Sequence, residues 1–532
     1  MEKWFNNWRR CPYRNKISVE NVAMRFILYI CFFLFFGVGA VFAQNAAYNI
    51  IPKPAKLTPR EGQFVFSAQT RIVAPIMEPH VFNAVFVLLE RLLLNTQFNT
   101  QIVDNSNGDI APDKDMIFCR INPDIGMEAY KMSIYAERIE IEAGSATGIF
   151  YAVQTIRQML PAAIERNRLA GDATIAVPCA VIEDEPRYPF RGMMLDVARH
   201  FADASAVRRY IDLLAYHKIN HFHWHLTNDQ GWRIEIDKYP NLTQKGAWRD
   251  STLIGAQTDD ETAERSYLKQ RHGGFYTKEQ VRNIVAYAQR RFVTIIPEIS
   301  MPGHSLAALA AYPELSCTGS ELAVASHWGK FDDVLCTKDQ TFEFIENVIT
   351  EIIELFPGEY IHIGADDFST IRWENCDHCR AKIEELGLEN AHELKDYFIE
   401  RIEKFVATKG KRLLTRDDMP NLNFAVCQTQ SREREPLCAD GYLPTAEVYD
   451  FELAPEQIAE TPDTSLTGAQ ANLWREYITS DMQTEATLLP RLAAFAETLW
   501  TPENEKNYDD FLVRLAEILK RYEAMNFVSS RP

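Results

Sequence analysis

The sequence predicts a (β/α)8 TIM barrel preceded by a small α+β domain, and three observations carry that prediction. From Pro189 onward short β-rich runs alternate eight times with longer amphipathic ones, the rhythm such a barrel requires. No Gly-rich phosphate loop follows the first of these runs, which disfavours a doubly wound open sheet. Carboxylates, histidines and a tryptophan gather where the runs end, and a barrel keeps its chemistry at the C-terminal ends of its strands.

Taken in order, the chain begins with Arg9, Arg10, Arg14 and Lys16 ahead of an apolar run from Phe26 to Phe42 that closes on Val41-Phe42-Ala43. This is the pattern of an export signal cut after Ala43, with an N-terminal membrane anchor as the alternative. Residues 1–43 are therefore expected to be a signal peptide, which places the mature protein in the periplasm, at the cell surface or outside the cell, with no membrane attachment after cleavage. Residues 44–185 read as the small domain: Val81, Val85, Leu88, Leu89 and Leu92 recur at helical spacing, Ile134, Ile139 and Ile141 alternate as strands do, and 148–160 is a second amphipathic helix. The acidic, proline-punctuated stretch from Glu183 to Pro189 is a linker, and 186–532 is the barrel.

The eight candidate strands are Gly192 to Val197, His221 to Thr227, Val293 to Ile299, Tyr360 to Gly364, Arg412 to Thr415, Phe424 to Cys427, Ala446 to Phe451 and Leu466 to Trp474. Their ends present His223, His225, Asn228 and Asp229, then Glu298, Ser300 and His304, then Asp366 and Asp367, then Tyr449 and Asp450, then Trp474 and Glu476. An aromatic plate beside charged acceptors suits a sugar, whose ring face stacks while its hydroxyls are bound. Asp366-Asp367 alone also fits a helix N-cap. His223 and His225 could hold a metal or simply be core residues, and with no third ligand at good spacing neither a metal nor a cofactor is expected.

Eight cysteines remain after signal removal. Cys317 and Cys336 flank a loop and could pair in an oxidising compartment, whereas the Cys376/Cys379 pair lacks a second pair at metal spacing and reads as a local bridge or buried thiols. A chain of 532 residues, 46% hydrophobic, can bury a large core, and its formal charge of -18 argues against nucleic acid as a partner.

Five motifs together resemble a known family: Arg191-Gly-Met-Met-Leu-Asp-Val-Ala-Arg-His, His223-Trp-His-Leu-Thr-Asn-Asp-Gln-Gly-Trp-Arg, Pro297-Glu-Ile-Ser-Met-Pro-Gly-His, His362-Ile-Gly-Ala-Asp-Asp and Gly468-Ala-Gln-Ala-Asn-Leu-Trp-Arg-Glu. They are similar to those of the exported β-N-acetylhexosaminidases of glycoside hydrolase family 20, over about Tyr48 to Tyr508. The resemblance implies hydrolysis of glycans ending in β-linked N-acetylglucosamine or N-acetylgalactosamine by the substrate-assisted form of the retaining mechanism. It implies that Asp366 orients the substrate's acetamide, Tyr449 holds the acetamide oxygen, and Asp367 is the general acid backed by His304 and Asn228. Arg191 and Glu476 would bind ring hydroxyls and Trp474 would stack on the sugar. Arg191 precedes its strand, so its place in the site comes from the resemblance alone.

Departures from the family pattern concentrate around the expected pocket. Asp367 stands for Glu, Ala365 for Gly, Ser300 for Asp and Asn228 for the Asp behind the histidine. Arg416 and Gln428 stand for two pocket tryptophans, and Phe451 for an Asp. Arg416 could recruit an acidic substituent or lie solvated on a loop. Together these changes imply a remodelled pocket in an intact fold. It would be a hexosaminidase with a weakened or altered site, a hydrolase with another substrate, or a catalytically inactive glycan-binding protein.

Overall fold

The computed structural model describes residues 48–166, 174–255, 265–365, 368–418, 420–428, 438–460 and 466–530. The expected signal peptide and the Asp366-Asp367 pair lie outside these residues. The small domain is a seven-stranded mixed sheet, β1 (Lys56–Val65), β2 (Arg71–Ala74), β3 (Gln101–Asp104), β4 (Met116–Ile121), β5 (Tyr130–Ile134), β6 (Arg138–Ala143) and β7 (Ala176–Asp184), ordered β1-β7-β5-β6-β4-β2-β3. Its pattern is legible in β6, where Ile139, Ile141 and Ala143 are buried and alternate with half-buried Arg138, Glu140 and Glu142. Helix α1 (Val81–Asn95) buries the predicted stripe of Val81, Val85, Leu88, Leu89 and Leu92. Helix α2 (Ala146–Met159), capped by the Ser145 hydroxyl accepting from the Thr147 amide, is buried on nearly every side.

That burial follows from α2 lying between its sheet and the second domain. Gln158 near its end bonds the Tyr216 carbonyl, and Tyr151 packs edge-on against Trp500 at 5.0 Å. Two ionic contacts complete the junction. Lys218 Nζ lies 2.9 Å from Asp184 Oδ2 with both side chains wholly enclosed, and Arg191 pairs with Glu128.

The second domain is built on β8 (Phe190–Asp196), β9 (His221–Asn228), β10 (Thr294–Met301), β11 (Tyr360–Gly364), β12 (Arg412–Leu414), β13 (Asn421–Asn423) and β14 (Gly468–Leu473). Every neighbouring pair in the order β12-β11-β10-β9-β8-β14-β13 is parallel. The intervening helices include α3 (Ala204–Tyr216), α4 (Lys278–Gln289), α5 (Asp339–Leu355), α6 (Asp377–Leu386) and α7 (Glu393–Thr408), followed later by α8 (Thr445–Asp450), α9 (Arg491–Trp500) and α10 (Tyr508–Ala524). Strands β8 and β11 are buried along their whole length, as strands covered on both faces are. This curled parallel sheet is the predicted barrel class.

Two of the expected strands differ. Ala446 to Phe451 is helical, as α8, because Pro444 sets its start and Val448 and Tyr449 bury against α9 rather than pairing with a neighbour. In the stretch expected at 424–427, the barrel strand begins earlier, at Asn421, and Val426–Cys427 turns away to pair with Ala439–Tyr442, beside a Cys427–Cys438 disulfide. The sheet therefore follows seven parallel strands among the described residues, with no ladder between β12 and β13. Only residues 415–420 join those two strands, too few for the crossover helix that normally links parallel neighbours.

Candidate active site

The site is anchored by the turn that ends β8. Asp196 Oδ1 accepts from the amides of Ala198 and Arg199, while Oδ2 accepts from Arg199 Nη1 and from the Arg475 amide, all at 2.9–3.1 Å. One buried carboxylate thus fastens the ends of β8 and β14 together and fixes the Arg199 side chain. Burial raises the Asp196 acid, but Arg199, His225 and the backbone amides overcome it and hold the group down to about 2.

From that mount Arg199 Nε reaches Glu476 Oε1 at 3.3 Å, and its guanidinium lies 4.9 Å from the Trp474 ring centre. Trp474 is half-buried and meets His225 edge-on at 5.3 Å. An aromatic plate flanked by a forked cation and a carboxylate can stack a sugar and bind its hydroxyls at once.

Across the mouth, His304 Nδ1 lies 2.9 Å from Asp229 Oδ2, and Asp229 Oδ1 accepts from the Leu306 amide at 3.1 Å. The carboxylate is buried and the imidazole is 18% exposed. With Nδ1–H donating to Asp229, Nε2 is the acceptor of the neutral ring, so the pair orients an imidazole at the cleft. His304 adopts φ 55° and Ala365 φ 54°, both left-handed, and these two strained residues bracket the ends of β10 and β11. The loops after those strands pack closely: a Cβ at Gly303 would fall 2.5 Å from Phe368 Cβ.

Beneath the mouth a buried network fills the barrel. Glu298 Oε2 lies 2.7 Å from His223 Nε2, 2.8 Å from His225 Nδ1 and 3.5 Å from His362 Nδ1, and Oε1 lies 3.1 Å from Arg416 Nη2. Burial alone would raise Glu298, but Arg416, His225, His362 and His223 hold it well below the carboxylate range. Burial lowers His223, and lowers His362 further beside it, so these rings are neutral partners of a charged Glu298–Arg416 pair. His362 Nδ1 accepts from the Gly364 amide at 2.9 Å, which fixes its tautomer and the strand end that leads to Asp366.

The model for "Glycosyl hydrolase family 20, catalytic domain" matches residues 188–428 and 420–503, and that for "Glycosyl hydrolase family 20, domain 2" matches 47–185. The chain belongs to glycosyl hydrolase family 20. The catalytic-domain match comes in two pieces that overlap at 420–428, a stretch that includes β13. A beta-hexosaminidase of Porphyromonas gingivalis is 36% identical over 505 residues, 88% of this chain and 62% of that protein. One of Vibrio furnissii is 32% identical over 85% of this chain and 76% of its own length. This chain thus spans less than two thirds of the Porphyromonas relative. Among solved structures, the Vibrio harveyi exo beta-N-acetylglucosaminidase of the same family, in complex with N-acetylglucosamine, superposes with a TM-score of 0.76 at 32% identity, covering 91% of this chain and 79% of that one. The Streptomyces coelicolor enzyme gives 0.72 at 28% identity, covering 91% and 98%.

Against this geometry the residues expected from sequence divide. Trp474, Glu476 and His304 come to the mouth, and Asp366 and Asp367 lie outside the described residues. Three assignments are corrected. Arg191 sits at the opposite, N-terminal end of β8, where its guanidinium binds Glu128, the Tyr151 hydroxyl and the carbonyls of Tyr188 and Lys218. It is a junction residue, and the arginine of the site is Arg199. The carboxylate behind His304 is Asp229, so the charge expected to be lost is present. The Asn228 amide instead contacts His225 Nε2 at 3.1 Å. Tyr449 is buried in α8, its hydroxyl donating to Glu497 and accepting from the Asn507 amide.

Two of the departures also leave the pocket. Gln428 donates to the carbonyls of Ala486 and Thr487, and Phe451 caps the end of α8. Arg416 is half-buried: it reaches inward to Glu298 and lies 4.7 Å from the Trp474 ring centre. Strand polarity alone would have found Arg199, which follows the C-terminal end of the first predicted strand. The choice between Asn228 and Asp229 turns on one residue at a strand end, where successive side chains point in opposite directions.

Proposed function

We propose that this chain is a β-N-acetylhexosaminidase that releases terminal β-linked N-acetylglucosamine or N-acetylgalactosamine from oligosaccharides or glycoconjugates. The observation that carries this reading is the convergence of Arg199, Trp474 and Glu476 with the His304–Asp229 pair at the strand ends. In the substrate-assisted mechanism the sugar's acetamide oxygen attacks the anomeric carbon, so the protein supplies orientation, charge and a proton and no nucleophile. Trp474 stacks the ring, and Arg199 and Glu476 take its hydroxyls. Asp366 steadies the acetamide as the oxazolinium charge develops, and Asp367 protonates the leaving oxygen. The His304–Asp229 pair tunes the proton affinity of that acid. Asp367 is one methylene shorter than Glu, and a misplacement of about 1 Å can cost on the order of a hundredfold, so a slow enzyme with poor leaving groups is expected.

We place the mature protein outside the cytoplasm, in the periplasm or at the cell surface. The basic-then-apolar N-terminus and the Cys427–Cys438 bridge support that placement. Turnover of 4-nitrophenyl N-acetyl-β-D-glucosaminide tests the reaction. Activity in the wild type, its loss in Asp366→Asn, and a gain for natural glycosides in Asp367→Glu are expected. An inert wild type and an inert Asp367→Glu, with N-acetylglucosamine still raising Tm, would make the pocket a binding site only.

A further inference from the structure

Four cysteines that lie far apart in the chain meet outside the sugar site. Cys317 and Cys336 come from the loop after β10, and Cys376 and Cys379 from the start of α6, the first long helix after β11. Their sulfurs lie within 4.8 Å of one another. Cys317 to Cys379 and Cys336 to Cys376 are 3.8 Å apart, and Cys336 to Cys379 is 3.6 Å.

We infer that Cys317, Cys336, Cys376 and Cys379 form a four-thiolate site for a divalent ion of zinc's chemistry, which clamps the loops following the third and fourth barrel strands. A tetrahedral ion with zinc–sulfur bonds of about 2.3 Å sets its sulfurs about 3.8 Å apart, whereas a disulfide needs about 2.05 Å. Four donors in one knot, with a Cys-x-x-Cys step on one side, match the closed donor set of a structural zinc site.

The surroundings fit this use. Cys336, Cys376 and Cys379 are buried, and Cys317 is half-buried. Cys376 is the N-cap of α6 and Cys379 lies in its first turn, where unpaired amides and the helix dipole favour thiolate. The Thr337 hydroxyl donates to Cys379 Sγ at 3.4 Å, the kind of outer support that orients a ligand sulfur. Backbone contacts hold the loops in register: the Cys336 amide donates to the Leu315 carbonyl, and Trp373 Nε1 to the Leu335 carbonyl, both at 2.9 Å. The segment clamped on the α6 side begins directly after Asp366-Asp367, and the other loop begins beside His304.

The test uses the full chain, purified without added chelator. Metal analysis is expected to find about one zinc per chain, released stoichiometrically as a mercurial titrates the thiols. Cobalt-loaded protein is expected to show sulfur-to-cobalt charge-transfer and tetrahedral d–d bands. Cys379→Ser is expected to abolish the metal, and Thr337→Val to weaken its binding roughly 10- to 100-fold. Metal-free wild type overturns the inference, whether peptide mapping recovers the four cysteines as disulfides or as free thiols. Zinc that stays stoichiometric in a Cys336→Ser/Cys379→Ser double variant overturns it as well. If the variants fail to fold, the wild-type metal content still decides.

Discussion

The two sides of the barrel mouth are built differently. Along β8, β9, β10 and β14 each functional group has a second partner that fixes it: Asp196 holds Arg199, Arg199 meets Glu476, and Asp229 holds His304. At the seam no ladder joins β12 to β13 among the described residues, and Arg416, just after β12, reaches inward there to Glu298. The first side sets the Trp474 ring beside a forked cation and a carboxylate. The second presents the cation of Arg416, which pairs with buried Glu298 and lies by Trp474, so it supports the core as well as the pocket.

This contrast can be broken most forcefully at its hinge. Glu298→Gln removes the charged acceptor that faces Arg416, His223, His225 and His362 at the buried centre of the network and is expected to destabilise the protein by about 3–5 kcal/mol, read as a lowered urea midpoint. An unchanged midpoint would mean the seam does not depend on that pair. Next in size is acid sensitivity. Burial, beside Arg475 and Arg249 for His200 and beside Arg191 for His221, lowers both rings to about 4 from an ordinary 6.5. The unfolded chain therefore binds protons these rings refuse, so stability falls as pH drops from about 6.5 to about 4 and levels below it. The loss is up to roughly 3 kcal/mol per ring, and His221→Asn should flatten the midpoint-versus-pH curve.

On the built side, Arg199→Ala is expected to lower kcat/KM about a hundredfold, since hydrogen bonds from a charged group contribute about 1.5–3 kcal/mol, and to lower the urea midpoint as well because it leaves the buried Asp196 without this cation. Arg191→Ala should act on stability alone. Asp229→Asn is expected to lower kcat about tenfold and shift the pH–rate profile, and Asn228→Asp to do neither. The reverse outcome would return the supporting role to Asn228. Smallest of all, Ala365→Gly relieves a left-handed alanine and should raise stability by about 1 kcal/mol.

How legible the molecule was in its sequence follows from which signals are local. Alternation and helical spacing exposed both domains, and the strand ends marked Trp474, Glu476 and His304. Tyr449 was misread because Val448, Tyr449 and Phe451 are β-formers, while tertiary packing on α9 and a proline start made the segment a helix. Arg191 was misplaced because a motif says which residues recur and not which end of the strand they occupy. The cysteine cluster was hidden because Cys317 and Cys379 are brought together only by two separate barrel loops. The open seam has no local signature beyond a short connection.

The Arg191–Glu128 and Lys218–Asp184 contacts reach from barrel to small domain, and Trp500 and Tyr130 both donate to Asp184. Removing the small domain would leave both cations without their carboxylates, Lys218 without Asp184 and Arg191 with only the carbonyls of Tyr188, Pro189 and Lys218. The barrel is therefore not a portable module, and a truncation meant to isolate the site is expected to lose it.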